Sequence, residues 1–439
     1  MKLRKLGGLA LGAMLVAAAC NTGGGATATP GAPAPGATQA PVDKGTLKIG
    51  VTLPLSGGAA ADGQPTMKGA QLAVDQANEA GGIGGYKLEL MVLDHAVNGK
   101  YNEQQGAQDM QTFVGDSAVV GVVGPYNSAV AKVQIPISND AGVLQCSPAN
   151  TNEALTKPEF GALDYRKNFP ERINYVRVAA TDDIQGPAMA VYDFNTLKLR
   201  NLLVVDDVTT FGKGVADNFQ KKFEELGGTV QRVGAPADTT DFNSIISAAK
   251  PETDGVYYGG VVTSGAGLLL KQLRQQGKTF PFTGPDGIVN GSGKAEGALI
   301  QIAGAAASAG SYGTIAAIGD FPGRADFEAA YAEAFKNDAD FNTAGAYSGP
   351  AYACATIILK SLEEFLKTSP DADQAAIREG VRAWASDTSN TFDTVLGTES
   401  FDKNGDTTQP FISFYVVDPA AADGAGDWVF KEQLNFAQE

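Results

Sequence analysis

Histidine is almost missing from this chain. Among 439 residues there is one, His95, and there are three cysteines, Cys20, Cys146 and Cys354. A zinc site or a Ser-His triad would have to be assembled on that single imidazole, which argues against both. No metal, cofactor or catalytic residue is therefore expected. Positive charge is also in deficit, with 33 lysines and arginines against 49 acidic residues and a formal net charge of -16. A nucleic-acid-binding face needs the reverse balance, so nucleic acid is not an expected partner. The first apolar run, residues 9–19, is too short for an ordinary membrane-spanning helix. What the chain does have is length and 44% hydrophobic residues, enough for two ordinary domains with cores of their own.

The first twenty residues read as a targeting segment. Lys2, Arg4 and Lys5 precede the apolar run, and Ala17-Ala18-Ala19-Cys20 closes it. A cysteine directly after small residues resembles a bacterial lipobox, which implies a lipid on Cys20 and an anchor in the cell membrane. Ala17 stands where that motif most often has leucine, so cleavage by the ordinary signal peptidase, giving a secreted protein with a stray cysteine, is the alternative. Residues 21–43 are mainly glycine, alanine, threonine and proline and cannot bury enough surface to fold. The expected division is a signal peptide over 1–19, then a lipidated cysteine and disordered linker over 20–44. Such a tether fits an extracytoplasmic body held at a membrane.

From residue 47 onward strands and helices alternate. Strands are predicted over 47–53, 86–93, 118–123 and 142–146, with helices around 67–80, 102–114 and 129–138 between them. Residues 152–171, with two prolines and mixed charge, break the rhythm and read as a surface insertion. A second series follows, with strands over 202–205, 230–233, 255–258 and 282–284 and helices over 215–226, 242–249 and 268–275. A strand over 315–318, helices over 325–335 and 350–366 and a late strand over 411–417 complete the reading. This alternation predicts an α/β protein of two lobes, each a mostly parallel sheet flanked by helices. Small molecules bind outside the carboxyl ends of strands in such sheets. Ser128 and the pair Ala149/Thr151 fall at two such ends, so they are predicted to form one edge of a ligand cleft.

The body also carries a set of fragments in order: Leu53-Pro54-Leu55-Ser56-Gly57, Asn78-Glu79-Ala80-Gly81-Gly82-Ile83, Ser147-Pro148, Gln185-Gly186-Pro187, Tyr257-Tyr258-Gly259-Gly260, Gly284-Pro285-Asp286-Gly287 and Phe401-Asp402-Lys403-Asn404-Gly405-Asp406. Together they resemble the branched-chain amino acid (leucine/isoleucine/valine) binding proteins of bacterial ABC importers, over roughly residues 46–417. The resemblance implies the type I periplasmic-binding-protein fold, with crossover strands and a hinge-closing cleft. It implies lobe 1 from 45–180 plus 318–405 and lobe 2 from 181–317 plus 406–439. It further implies an amino acid or amino-acid-like ligand, an ABC permease and its ATPase as partners, and a monomer.

The same resemblance assigns roles. Ser128 binds the ligand carboxylate, the Ala149 carbonyl takes the ammonium, Thr151 contacts both, Asp286 pairs with the ammonium, and Asp182 lies by the cleft. The chemistry suits these types. A helix beginning at Ser128 presents N–H groups to an anion, and a buried ammonium needs a countercharge. Aromatic positions that grip the ligand in the family fall on Asp62, Phe211 and Val261, of which only Phe211 keeps a ring. Asp62 reads by itself as a solvated loop charge. The family's N-lobe disulfide positions fall near Val97 and on Asn127. Cys146 and Cys354 either pair or remain two buried thiols, and both readings stand at this point.

Several local motifs carry no chemistry. Residues 402–406 begin like a calcium loop, but Ser413 stands where the bidentate glutamate belongs, so a hairpin turn is expected. Residues 291–295 lack the spacing of a P-loop, and Thr263-Ser264-Gly265 lacks a nucleophile elbow. A non-catalytic solute-binding protein is thus expected. A sensor component of the same fold is the first alternative, and an α/β hydrolase the weaker one.

Overall fold

The computed structural model describes residues 43–436. The predicted signal peptide, Cys20 and the linker up to residue 42 lie outside the described residues. The first sheet grows from runs that are apolar on both faces. Val119–Val123 is buried at every position, the pattern of a parallel strand covered by helices on each side. It lies between Thr46–Leu53 and Gln145–Ser147, with Lys87–Asp94 and Tyr175–Arg177 at the edges. Each pairing is parallel. Ile49, Val51 and Val120 pack on one face against Ile357, Ile358 and Leu362 of the helix Ser348–Thr368. Val119 and Val122 pack on the other against Met110 and Phe113 of the helix Glu103–Gly115.

The second sheet has seven strands, in the order Asp427–Asn435, Phe411–Asp418, Ser311–Ile315, Phe282–Gly284, Gly255–Gly259, Asn201–Asp206, Thr229–Gly234. It is parallel except for the last two strands of the chain, which run antiparallel. Segments 178–181, 315–323 and 400–411 pass between the sheets side by side. The Ala180 N–H donates to the Ala316 carbonyl at 2.7 Å and the Arg177 N–H to the Gly405 carbonyl at 3.0 Å. In the first sheet Thr46–Leu53 lies between Lys87–Asp94 and Val119–Val123, so the chain departs from it to opposite sides. A crevice forms at the strand carboxyl ends of such a switch point.

Several expectations are corrected. The helix around 129–138 extends over Ser128–Ala141 and runs through Pro136. The expected strand 142–146 narrows to Gln145–Ser147. The strand expected over 315–318 lies earlier, at Ser311–Ile315, because residue 316 is already bonded to a crossing segment. The expected helix 242–249 shrinks to Asn243–Ser247. Residues 152–171 are no free surface insertion: they form three short 3-10 turns, and Leu155 packs with Ala131, Ile135 and Tyr175. The helix Gln374–Ala385, the hairpin Phe392–Thr394 with Gly397–Glu399, and the strand Asp427–Asn435 were not predicted.

Cys146 and Cys354 form a disulfide, with Cα atoms 5.4 Å apart. It ties a central strand end to the helix Ser348–Thr368 inside the first core, and so decides between the two readings above. His95 is fully buried. Its Nδ1 lies 3.1 Å from the Thr52 hydroxyl and its Nε2 3.1 Å from Asn127 Oδ1. The ring therefore links the two stretches on which the family's N-lobe disulfide positions fall. Burial lowers its pKa to about 4. An unfolded histidine titrates near 6.5, so the unfolded chain takes the proton first as pH falls from about 6.5 to about 4, and this contribution to stability is lost over that window. The stability difference between the wild type and His95→Gln should shrink by about 2 kcal/mol from pH 7 to pH 4.5 in denaturant titrations. A difference independent of pH would show that the ring is not held neutral.

Candidate ligand-binding cleft

The loops that follow the central strands of both sheets face one another. Ser128, Ala149 and Thr151 from the first lobe, with Phe211, Val261 and Asp286 from the second, line one cleft of about 370 Å³, a volume that includes the part open to solvent. Asn127, Ala129 and Gly287 line it too, as do three residues farther from the predicted set, Tyr101, Tyr126 and Thr209. None of these three carries a local sequence signal.

The first wall is a pair of stitched loops. Ser147 Oγ donates to the Pro125 carbonyl at 2.8 Å and accepts from the Asn150 N–H at 3.0 Å, while Asn150 Nδ2 donates to the Tyr126 carbonyl at 2.7 Å. Ser128 opens the helix Ser128–Ala141, so its own N–H and that of Ala129 have no intrahelical acceptor. Its hydroxyl accepts weakly from the Asn152 N–H at 3.4 Å. The carbonyls of residues 150–152 are all engaged. Arg177 Nη1 donates to those of Asn150 and Asn152, and the Asp182 N–H donates to that of Thr151. Among the described residues nothing donates to the buried Ala149 carbonyl. One wall thus presents free N–H groups beside a free carbonyl.

Arg177, which the sequence did not single out, is the support beneath this wall. It is fully buried and pairs through Nε with Asp406 Oδ1 at 2.6 Å. Thr156 Oγ1 donates to Asp406 Oδ2 at 3.0 Å. The turn at 402–406 is closed by Asp402 Oδ1, which accepts from the N–H groups of Asn404 and Asp406.

On the second wall, Asp286 opens a 3-10 turn directly after Phe282–Gly284. The carboxylate is buried. Gln185 Nε2 donates to Oδ1 at 2.9 Å and Tyr347 Oη to Oδ2 at 2.6 Å. Burial pushes its pKa up to about 7, against the opposing pull of the Tyr347 hydroxyl and of the Asp286 and Gly287 N–H groups. Asp207, also buried, sets the loop that carries Phe211: its Oδ1 accepts from the Thr209 N–H at 3.0 Å and from Thr209 Oγ1 at 2.6 Å. Phe211 leans over Gly287, where an added Cβ would come within 2.8 Å of the ring and 2.4 Å of the Gly260 carbonyl.

Two candidates stand apart from the cleft lining. Asp182 begins the helix Asp182–Asn195 behind Thr151, fully buried, with both carboxylate oxygens lacking a hydrogen-bond partner among the described residues. Burial, then Glu153 and Asp286, raise its pKa well above the usual carboxylate range. Asp62 is not a solvated loop charge, which corrects the sequence reading. It lies half-buried in the first turn of the helix Ala60–Glu79, which follows a 3-10 turn at Gly57–Ala59. Burial and then the neighbouring Asp286 lift its pKa to about 7, while Asn290 favours its charged form. An acid raised in this way weakens the fold as pH rises from about 4 to about 7, where the unfolded chain ionises first. Asp62→Asn should therefore raise stability at pH 8 by about 1–3 kcal/mol after allowance for solvent access, and change little at pH 4. Urea titrations at the two pH values check this.

Among the described residues the His95 ring hydrogen-bonds to Thr52 and Asn127 and to no serine. Among the described residues no group of three or more His, Cys, Asp or Glu side chains is placed to hold a metal ion.

Two lobes, crossing segments and a cleft at facing strand ends specify an architecture, and the comparisons agree with it. The family described as periplasmic binding protein matches residues 46–425. The chain belongs to this family. It is 31% identical over 371 residues to Leu/Ile/Val-binding protein homolog 2 of Brucella abortus, covering 84% of this chain and 90% of that one. It is 31% identical over 363 residues to the leucine-, isoleucine-, valine-, threonine-, and alanine-binding protein of Pseudomonas aeruginosa, covering 82% and 87%. The crystal structure of the leucine-binding protein LivK from Thermotoga maritima superposes with a TM-score of 0.70 at 26% identity, covering 89% of this chain and 99% of that one. The fold is thus the type I periplasmic-binding-protein fold. The family is one of solute-binding proteins that work outside the cytoplasm.

Proposed function

We propose that this periplasmic binding protein captures an α-amino acid between its lobes and delivers it to an ABC importer, without catalysing a reaction. One observation carries the reading: a free carbonyl and free helix N–H groups on one wall face a buried carboxylate on the other. A zwitterion matches that pattern. Its carboxylate meets Ser128 and the helix N-terminus, where the dipole favours negative charge. Its ammonium meets the Ala149 carbonyl, Thr151 and Asp286, which together supply countercharge and acceptors. Asp182 acts from behind, by holding the Thr151 carbonyl. Phe211 and Val261 face the ligand's side chain.

The lobes already touch beside the cleft. Asn152 Nδ2 donates to the Thr210 carbonyl at 3.3 Å, Asn218 Nδ2 to Glu153 Oε1 at 3.0 Å and Lys100 Nζ to the Ala237 carbonyl at 2.8 Å. A ligand held by both walls adds contacts available only in the closed state, which is what shifts such an equilibrium. The disulfide suits an oxidising compartment. Among the described residues no helix is long and apolar enough to cross a membrane. The tether we propose is the lipid on Cys20, with the body acting as a monomer.

A thermal-shift panel of amino acids, short amides, urea and aromatic acids tests the reading. Stabilisation by at least one α-amino acid is expected. Stabilisation only by compounds without an amino group would contradict it.

A further inference from the structure

Asp286 lines the cleft from the second lobe, but one of its two side-chain donors comes from the first. Tyr347 directly precedes the helix Ser348–Thr368, whose residues Ile357, Ile358 and Leu362 pack on the first sheet. That end of the helix is pinned within the first lobe. Ser348 Oγ donates to the Pro65 carbonyl at 2.7 Å and accepts from the Gly345 N–H at 2.9 Å. The Tyr347 side chain nevertheless reaches across the lobes. It belongs to the apolar cluster of Phe282, Ile288 and Val289, and its Oη donates to Asp286 Oδ2 at 2.6 Å. It is buried and is not among the residues that line the cleft. Its ring meets the ring of Tyr126, which does line the cleft, edge-on with centroids 5.5 Å apart. The other Asp286 oxygen accepts from Gln185 Nε2, an amide of the second lobe itself. Each carboxylate oxygen can accept about two hydrogen bonds, so both keep an acceptor place for a ligand.

Resting on the amino-acid reading above, we propose that Tyr347 is a positioning residue of the ammonium site: from the opposite lobe its hydroxyl holds Asp286 as an oriented carboxylate, ready to serve as countercharge. A protonated acid could hydrogen-bond an ammonium but not neutralise it. Burial favours that protonated form and lifts the Asp286 pKa to about 7, and the Tyr347 hydroxyl pulls the other way. Burial also raises the Tyr347 phenol well above its ordinary range, so it remains a donor. Asp62, Asp182, Tyr126 and Tyr257 are the other titratable groups that act with Asp286. All four stay in place when only the Tyr347 oxygen is removed. Affinity for an ammonium should fall as pH drops through the pKa of the empty site, and Tyr347 sets where that fall begins.

Calorimetric titration of the full mature protein and of Tyr347→Phe with the common α-amino acids, followed from about pH 5.5 to about pH 8.5 for each that binds, tests this. Phenylalanine keeps the ring and its contact with Tyr126. Tyr347→Phe should bind about tenfold more weakly than the wild type at about pH 6, the factor for a pKa moved up by about one unit, and within about twofold of it at about pH 8.5. Weakening by the same factor at every pH, or complete loss at every pH, would make Tyr347 a packing residue only and overturn the proposal. Unchanged affinity at about pH 6 would overturn it too. These outcomes leave the amino-acid reading in place, whereas failure of every α-amino acid to bind the wild type overturns both.

Discussion

Replacing Asp286 by alanine should abolish measurable binding of α-amino acids and leave the fold intact. The ligand ammonium would then enter a buried site with its countercharge gone. Removing one member of a desolvated charge pair costs about 2–5 kcal/mol, or about 30- to 5,000-fold in Kd. The unliganded variant should not be destabilised at pH 8. The Asp286 carboxyl is raised to about 7 by burial, so above that pH it weakens the wild type, and its removal lifts that penalty while giving up the bonds from Gln185 and Tyr347. Calorimetry and thermal unfolding on the same sample separate the two effects. Unchanged affinity would remove Asp286 from the ammonium site, and a collapsed fold would give it a structural role instead.

The largest effect on stability should come from Arg177. Arg177→Met leaves Asp406 buried and unpaired, and frees the Asn150 and Asn152 carbonyls that the guanidinium holds. Breaking a buried ion pair from one side costs about 3–5 kcal/mol. The double variant Arg177→Met/Asp406→Leu should recover much of that loss, because no lone charge remains. Ligand affinity should stay low in both, since the loop carrying Ala149 and Thr151 has lost its anchor. Urea titration read beside ligand affinity checks this. A double variant as unstable as the single one would mean that the loop bonds, and not the charge pair, dominate.

Much of the architecture was legible because it is written locally. The run Val119–Val123, apolar at every position, announces a strand covered on both faces, and turn residues punctuate each βα unit. Ser128 and Asp286 could be singled out because each stands at the end of such a strand, in a fragment that resembles a known family. The elements that were missed fail for different reasons. Gln374–Ala385 carries Ile377, Val381 and Ala385 at helical spacing behind the cap Asp373, a signal that was present and not used. Asp427–Asn435 mixes charges with Trp428 and Phe430 at the sheet edge, and its pairing with Phe411–Asp418 is tertiary. Pro136 marks a disturbance only if helix ends are loose, whereas here the residues after it are buried on Asn174 and Gln145. The supports of the cleft were invisible in principle. Tyr347 reaches Asp286 across 61 residues and Arg177 reaches Asp406 across 229, and nothing in either local stretch records its partner. Asp62 was misread for the same reason: nothing in its local stretch records Asp286 and Asn290, the distant residues that act on it.

The central claim is that one ligand is held by its carboxylate on the first lobe and its ammonium by both. Calorimetric titration of the mature protein with its best amino acid, alongside the deaminated and decarboxylated analogues of that compound, tests this most directly. We predict one site per chain, with each analogue weaker by at least about 30-fold, the factor for losing one desolvated charged contact. An analogue without the ammonium that binds as tightly as the amino acid would contradict the account.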